Sequence, residues 1–193
     1  MALKYPLQCR NHMSCVKEED KTFTLPDMKT VNFVGRTLSS LSQSMINFLL
    51  KLTERNMKKM YTFFNKGWIR DEKLKELTKR YSFYVIAYED NKTPIGFAQY
   101  RFELNEEKTK SILYCYELQL QRRYRGVGLG RHMMGLLEQI AHGFLLKEIT
   151  LTCQKANKRA ERFYRKTLGY KTDTHDPGDP GYVILTKALP PAR

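Results

Sequence analysis

Long apolar segments are missing from this 193-residue chain. No stretch approaches the roughly 18 consecutive apolar residues that a membrane-spanning helix needs, so we expect no membrane association. The first residues, MALKYPLQCRNHMS, contain no apolar core of the kind found in a secretory signal peptide. Low-complexity tracts and internal repeats are also missing. The composition, with 41% hydrophobic and 12% aromatic residues, predicts one globular domain with a proper core.

Cysteine and histidine are scarce, and neither is spaced for a metal site. The four cysteines, Cys9, Cys15, Cys115 and Cys153, show no C-x-x-C pattern, and the four histidines are scattered along the chain. Such cysteines are typical of reduced thiols in an intracellular protein. We therefore predict free thiols and no bound metal.

Positive charge is in excess, with 34 lysines and arginines against 20 aspartates and glutamates, a formal net charge of +14. A surplus of this size attracts polyanions such as nucleic acid, the ribosome or a phosphorylated cofactor. A solvated basic surface is the simpler interpretation. Because the basic residues are spread along the chain rather than gathered in a tail, we expect no specific nucleic-acid recognition.

The hydrophobic period alternates between helical and extended values along the chain. The predicted helices cover residues 38–64, 71–80, 129–145 and 157–169. The predicted strands cover residues 30–36, 81–90, 95–104, 111–120, 147–154, 170–176 and 181–189. This order predicts an α/β fold in which a mixed sheet of six or seven strands is flanked by about four helices. Residues 1–25 are polar and irregular, and we interpret them as an N-terminal extension that could pack on a domain spanning 26–193.

Three glycines alternate with other residues in the segment ELQLQRRYRGVGLGRHMM, residues 117–134. A strand ending at Leu120, a glycine-rich turn and a helix opening near Leu129 predict an anion site, because free N–H groups and the helix dipole favour negative charge. Glycine also lets the backbone approach a pyrophosphate closely. The segment matches neither the G-x-G-x-x-G motif nor the G-x-x-x-x-G-K-[ST] motif, so hydride and phosphoryl transfer are poorly supported.

Two overlapping copies of the pattern [RQ]-x-x-G-x-[GA] begin at Arg123 and Arg125, and the second leads directly into the predicted helix. This loop resembles the coenzyme A pyrophosphate loop of the Gcn5-related N-acetyltransferase superfamily. Downstream, NKRAERFYRKTLGY (157–170) is similar to the helix N-x-x-A-x-x-F-Y-x-x-x-G-[FY] of that superfamily. The resemblance covers residues 30–190 and implies acetyl-CoA as cosubstrate.

A closer resemblance is to the N-terminal acetyltransferases of NatD type, carried by TERNMKKMY (53–61), GW (67–68), RFE (101–103) and YCYELQL (114–120). That family acetylates the α-amino group of histones that begin Ser-Gly-Arg-Gly. The resemblance implies a histone N-terminal peptide as partner, a cytoplasmic and nuclear location, and a monomer, with ribosome association as a further expectation. Two positions depart from the family: Lys66 stands where tryptophan is expected, and Tyr164 where phenylalanine is expected.

Acetyl-CoA contacts are implied by this resemblance at the end of the central strand, in the glycine loop and at two later positions. They are Tyr116, Glu117, Leu118, Arg125, Gly126, Val127, Gly128, Leu129, Gly130, Thr152 and Asn157. Substrate contacts are implied along a slot walled by aromatic residues. They are Tyr61, Trp68, Glu103, Tyr114, Tyr116, Glu117 and Tyr182. For Glu103 we expect a bidentate pair with the arginine of the substrate.

Catalysis is expected to centre on Tyr116, Glu117 and Leu118. An α-amine has a reference pKa of about 7.7–8.0, so a modest base such as Glu117 suffices to deprotonate it. The N–H group of Leu118 is the expected oxyanion donor. Regular alternation would turn Glu117 away from Tyr114 and Tyr116 unless a β-bulge redirects it, and the superfamily carries such a bulge.

Three other functions stay open at this stage. The same chemistry could act on lysine side chains or on a small polyamine. The chain could bind coenzyme A without catalysis, or bind nucleic acid through its charge. Within the acetyltransferase interpretation we expect direct transfer, because neither Cys115 nor Cys153 has a histidine paired with it to activate the thiol.

Overall fold

The computed structural model describes Cys9 and residues 11–61 and 67–190, and eight strands in this part of the chain form one mixed sheet. The strands are β1 (Thr22–Thr24), β2 (Thr30–Thr37), β3 (Phe83–Glu89), β4 (Thr93–Leu104), β5 (Ser111–Leu120), β6 (Glu148–Gln154), β7 (Lys171–Thr172) and β8 (Tyr182–Ala188). The strand order is β1-β2-β3-β4-β5-β6-β8-β7. Only β5 and β6 pair in parallel.

The predicted α/β fold class is confirmed, with one more short strand than expected. Strand β1 lies in the segment that we interpreted as irregular, and its three residues TFT give no alternating pattern long enough to detect. Strand β7 is shorter than the predicted strand 170–176, since only Lys171 and Thr172 pair with β8.

Four α-helices lie among the described residues. They are α1 (Gln43–Tyr61), α2 (Arg70–Leu77), α3 (Leu129–Gly143) and α4 (Lys158–Arg162). Helix α4 continues as a π-helical turn over Phe163–Thr167, and Gly169 ends the segment at a φ of +78°. No helix in the described part of the chain is both long and apolar enough to cross a bilayer.

Helix α1 begins later than predicted. Residues 38–40 form a separate 3₁₀ turn in which the N–H of Thr37 donates to the Ser40 hydroxyl at 3.0 Å. The helix itself is capped by Ser42, whose hydroxyl accepts from the N–H of Met45 at 3.2 Å. Ser39 and Ser40 therefore belong to the preceding turn and do not cap α1. The predicted end at residue 64 lies outside the described residues.

The sheet separates two hydrophobic clusters. Helices α1 and α2 cover one cluster, which consists of Leu49, Leu50, Leu52, Leu77, Tyr84, Ile86 and Phe97. Helix α3 and the π-helical turn pack on the other, to which Met13 and Val16 also belong. His12 is buried there and its Nδ1 lies 2.9 Å from the Tyr100 hydroxyl. The described residues before position 25 thus contribute to the main core, while the domain boundary at 25 stays a prediction.

Candidate active site

A β-bulge interrupts the central strand at Tyr116. Tyr100 of β4 lies opposite Cys115 of β5, whereas the preceding residue, Gln99, lies opposite Glu117. Tyr116 therefore has no partner in β4, and the alternation of side chains shifts by one position after it. Because directly paired residues share a face, Glu117 lies with Gln99 on the face that α1 and α2 cover.

Tyr114 and Tyr116 lie on that same face. Their ring centroids are 4.7 Å apart. The hydroxyl of Tyr114 lies 2.5 Å from that of Thr152, which joins β5 to β6. Burial raises the pKa of Tyr114 despite its bond to Thr152. The bulge thus places the two tyrosines and Glu117 on one face of the sheet, and their roles in catalysis stay predictions.

Strands β5 and β6 separate just beyond this point. Their parallel pairing covers Leu113 to Cys115 on β5 and ends where Cys115 meets Leu151, although β5 continues to Leu120 and β6 to Gln154. Backbone groups of these strand ends that are directed into the gap have no strand partner. The gap is therefore a place where an extended chain with amide groups can form hydrogen bonds.

The glycine loop follows β5 directly. Gly126 and Gly128 have φ values of +86° and +91°, which L-residues with a side chain rarely adopt. Gly128 caps α3, and the first bond of this helix runs from the N–H of His132 to the Gly128 carbonyl. The N–H groups of residues 128–131 are left without helical partners, so they form an anion-binding terminus.

Three arginines surround this loop. Arg125 donates from Nε and Nη2 to the Leu120 carbonyl, at 3.1 and 2.9 Å. Partial burial lowers the pKa of Arg125, and the nearby charges of Arg159 and Arg122 add to that effect. A Cβ atom on Gly126 would lie 3.6 Å from Arg159 Nη2. The loop therefore combines free N–H groups with guanidinium groups, which suits a pyrophosphate.

The remaining residues of the predicted cofactor site lie around the loop in different roles. Val127 is half-buried, Leu129 is fully buried as the first residue of α3, and a Cβ on Gly130 would lie 3.5 Å from the Phe163 ring. Asn157 caps α4, since its side-chain oxygen accepts from the N–H of Ala160 at 3.1 Å. The amide nitrogen of Asn157 has no hydrogen-bond acceptor among the described residues, so it could donate to a cofactor.

Glu117 is buried and fixed by two donors. Its Oε1 accepts from Lys73 Nζ at 3.2 Å, and its Oε2 accepts from Gln119 Nε2 at 2.8 Å. Asn56 of α1 in turn donates to Gln119 Oε1 at 2.9 Å. The sequence analysis missed Lys73, Gln119 and Asn56. Lys73 lies in the charged segment RDEKLKEL, where a buried ammonium gives no signal distinct from an exposed one.

Glu103 forms a second charged group at the site. Its Oε1 accepts from the Tyr116 hydroxyl at 2.6 Å and lies 3.3 Å from Arg101 Nη2. The guanidinium of Arg101 stacks 3.7 Å from the centroid of the Tyr116 ring. Burial and the bond to Glu103 raise the pKa of Tyr116. We expected Glu103 to pair with an arginine of the substrate. It already contacts Arg101 of its own chain, a residue that was not predicted from the sequence.

Three aromatic residues, Tyr61, Trp68 and Tyr182, were predicted to line a peptide slot, and the structure gives their surroundings. The rings of Tyr61 and Trp68 meet edge to face at 5.7 Å, and Trp68 Nε1 is buried without a hydrogen-bond partner among the described residues. Tyr182 opens β8 opposite Gln154, so it lies on the sheet face that carries Thr152. Lys66, the departure from the expected tryptophan, lies outside the described residues.

The buried thiols are unsuited to nucleophilic attack. Burial raises the pKa of Cys115 and of Cys153 to about 12 each, and neighbouring carboxylates add to this effect. Neither is a thiolate at neutral pH, and the thiolate is the reactive form. Burial also raises the pKa of Tyr164 well above 10, so its hydroxyl stays protonated. No group of three potential metal ligands occurs in the described part of the chain.

The mixed sheet, the separation of β5 from β6 and the glycine loop are the features expected of an acyltransferase that uses coenzyme A. Residues 49–170 match the model of the Acetyltransferase (GNAT) family. The chain belongs to this family and is an acetyltransferase that uses acetyl-CoA.

Solved structures share the fold at low sequence identity. The PaiA N-acetyltransferase of Thermoplasma acidophilum, in complex with coenzyme A, is 18% identical with a TM-score of 0.61, covering 82% of this chain and 99% of that one. Arabidopsis thaliana NAA60 with a bisubstrate analogue is 12% identical with a TM-score of 0.60, covering 83% and 100%. Tetrahymena GCN5 is 12% identical with a TM-score of 0.65, covering 84% and 98%. These likenesses show the fold alone.

Proposed function

We propose that this chain acetylates the free N-terminal amine of histones that begin Ser-Gly-Arg-Gly, by direct transfer from acetyl-CoA. The observation that carries the proposal is the bulge at Tyr116, which puts the Glu117 carboxylate beside Tyr114 and Tyr116. A base, an aromatic slot and a second carboxylate, that of Glu103, then lie on one face of the sheet. An α-amine has a lower pKa than the amine of a lysine side chain, so a modest base such as a carboxylate is sufficient to deprotonate it. A lysine substrate would need a stronger base.

The described residues fit acetyl-CoA. Its pyrophosphate would be held by the N–H groups of residues 128–131 with Arg125 and Arg159, and its pantetheine amides by the gap between β5 and β6. Positive φ at Gly126 and Gly128 keeps Cβ atoms away from this cradle. When bound, acetyl-CoA supplies the activated acetyl thioester.

The residues of the chain then have separate roles. Glu117 takes the proton from the amine, directly or through a water molecule. The N–H of Leu118 stabilises negative charge on the carbonyl oxygen, a contribution of about 3–4 kcal/mol in comparable sites. Tyr116 holds Glu103 in place, and Tyr61, Trp68 and Tyr182 line the slot for the peptide. Direct transfer is favoured because the raised pKa values of Cys115 and Cys153 disfavour an acetyl-cysteine step.

Charge at the site supports a basic substrate despite the net charge of +14. The carboxylates of Glu76, Glu103 and Glu117 lie here, against Lys73 and Arg101. The arginines instead gather at the glycine loop, on the side proposed for the cofactor phosphates. A basic peptide and an anionic cofactor would therefore approach through regions of suitable charge.

One observation favours a second candidate function. Glu103 already contacts Arg101 at 3.3 Å, so recognition of a substrate arginine would have to add to or replace that pair. Acetylation of a lysine side chain or of a small polyamine does not require this exchange. These substrates form the alternative, and they need a stronger base because a lysine amine has a pKa of about 10.4.

The deciding experiment is acetyl-CoA turnover on four substrates, with mass spectrometry of the acetylated position. The panel contains a Ser-Gly-Arg-Gly peptide, the same peptide with alanine in place of arginine, an N-terminally blocked lysine peptide, and spermidine. We expect acetylation of the free Ser-Gly-Arg-Gly peptide alone. Turnover of the blocked peptide or of spermidine would contradict the proposed substrate.

Further parts of the proposal concern where the enzyme acts. Histones are made in the cytoplasm and act in the nucleus, so we propose that the chain occurs in both compartments. We also propose that it acts as a monomer. Its basic surface would suit docking near the ribosome, where nascent N-termini emerge. Co-sedimentation with ribosomes at rising salt tests this docking, and a failure to sediment at low salt would contradict it.

A further inference from the structure

Lys73 is the only lysine buried among the described residues, and it lies at the candidate active site. Helix α2 carries it on the side that faces the sheet, between the exposed residues Glu72 and Lys75. A buried ammonium is costly unless acceptors surround it. Packing alone therefore does not explain why a lysine is buried at this position.

Three acceptors meet the Lys73 ammonium. Nζ donates to Glu117 Oε1 at 3.2 Å, to the Tyr61 hydroxyl at 3.0 Å and to Glu76 Oε2. An ammonium has three N–H donors, so all of them are used. Although burial alone lowers it, the pKa of Lys73 is raised overall because Glu117 and Tyr61 favour the charged form. Lys73 thus stays a cation and links the central strand, α1 and α2 at one point.

We propose that Lys73 is a positioning residue for acetyl transfer, which fixes the Glu117 carboxylate and the Tyr61 hydroxyl at the amine end of the peptide slot. The inference rests on the proposed role of Glu117 as base. Lys73 engages one lone pair of Oε1 and Gln119 one of Oε2, so each oxygen keeps a further lone pair for the incoming amine. Lys73 itself takes no proton from the substrate, because it is already charged.

The pH dependence follows from the charges around Glu117. The titratable groups that face it come from four elements: Lys73 and Glu76 of α2, Tyr61 of α1, Cys115 of β5 and Tyr164 of the π-helical turn. Lys73 is the cation among them. Lys73→Met removes this cation from the site, and the expected result is that the acidic limb of the pH–rate profile moves to higher pH.

A double-mutant cycle tests the inference on the Ser-Gly-Arg-Gly peptide. We expect Lys73→Met to lower kcat by about tenfold or more and to move the acidic limb upward. In the Glu117→Gln background, the same change should alter kcat by less than about twofold, because its effect passes through Glu117. Lys75→Met, on the exposed side of α2, is the matched control and should keep the wild-type rate and profile.

The outcomes separate the two proposals. Wild-type turnover by Glu117→Gln would overturn the base and the role of Lys73 with it. Loss of activity in Glu117→Gln with an unchanged rate and profile in Lys73→Met would overturn the positioning role alone, as would fully additive losses. If Lys73→Met fails to fold, Lys73→Arg keeps the charge but displaces the donors. Its expected result is a lower kcat with the wild-type acidic limb, and an unchanged kcat would contradict the proposal.

Discussion

Tyr114 and Thr152 join the two central strands through their hydroxyls, 2.5 Å apart, at the level where the backbone pairing of β5 and β6 ends. The contact therefore marks the edge of the gap proposed for acetyl-CoA. It also connects a residue that the family resemblance assigns to the peptide with one that it assigns to the cofactor. Either side of the bond can be removed without a large change in shape.

The hydrogen bond can be removed by changing either Tyr114 or Thr152, and the two changes should affect the binding of different substrates. We expect Tyr114→Phe to raise the KM of the peptide, and Thr152→Val to raise the KM of acetyl-CoA. Each should cost about 1 kcal/mol of stability, the net value of a typical hydrogen bond. Steady-state kinetics with each substrate varied in turn, beside chemical denaturation, would measure both effects. Equal losses of stability with unchanged KM values would mean that the bond is only a structural link.

The glycine loop should tolerate no side chain at Gly126. Its φ of +86° makes Gly126→Ala strained by about 1–2 kcal/mol, and a shift of the loop would displace its N–H groups. We expect weaker binding of coenzyme A in calorimetry. Gly135→Ala, inside α3 with nothing within 4 Å of the added Cβ, is the control and should stabilise the fold by about 0.5–1 kcal/mol. Wild-type affinity in Gly126→Ala would argue against this cradle.

Asn157 can be separated into its two functional groups. Asn157→Ala removes the cap of α4 and should destabilise the protein by about 1 kcal/mol. Asn157→Asp keeps the capping oxygen but loses the amide nitrogen, so it should keep the stability and weaken acetyl-CoA binding. Thermal unfolding and calorimetry on the two variants check this. Intact affinity in Asn157→Asp would show that the residue serves only as a cap.

Tyr164 is one of the two positions, with Lys66, at which the sequence departs from the NatD-type pattern that it resembles. Its hydroxyl stays protonated because burial raises its pKa, and its charged form would be disfavoured by the nearby Cys115 and Cys153. A protonated hydroxyl near the strand gap suits donation to the leaving sulfur. We therefore expect Tyr164→Phe to fold normally, to bind coenzyme A normally and to lower kcat by about tenfold or more. An unchanged kcat would assign Tyr164 to packing against Phe163 and Tyr170.

Stability should fall at alkaline pH. The thiols of Cys115 and Cys153 have a pKa of about 12 in the folded chain against 9.0 for a free thiol. Because the folded pKa is the higher one, the unfolded chain loses its protons first, and stability present below pH 9 is lost between pH 9 and 12. In this range each thiol should lower the free energy of unfolding by about 1.4 kcal/mol per pH unit. Denaturation midpoints measured from pH 8 to 11 check the slope, which Cys153→Ala should reduce; an equal slope in the variant would contradict the assignment.

Local patterns were enough for most of the fold. Alternation located β3, β4 and β5, and the glycines with their arginines marked the turn before α3, because these signals depend only on neighbours in the chain. The elements whose bounds were predicted wrongly, β1, β7 and the start of α1, are short or rich in polar residues. Strand β1 has only three residues, and the serines near position 40 cap a 3₁₀ turn instead of α1.

Local sequence patterns predicted only some of the residues of the candidate active site. Glu117 and the tyrosines beside it were predicted from a motif, and the described fold places them on one face. The groups that hold Glu117 were not predicted. Lys73 and Glu117 are 44 residues apart, and Asn56 and Gln119 are 63 apart, so their contacts arise only when α1 and α2 pack on the sheet.

Local patterns in the sequence were sufficient to predict most of the helices and strands, the glycine loop and the family. The bulge at Tyr116, the contact of Arg101 with Glu103 and the burial of Lys73 against Glu117 became visible only in the folded chain. The reason is physical. Secondary structure follows from local periodicity, whereas the partner of a charge depends on which distant elements exclude water around it.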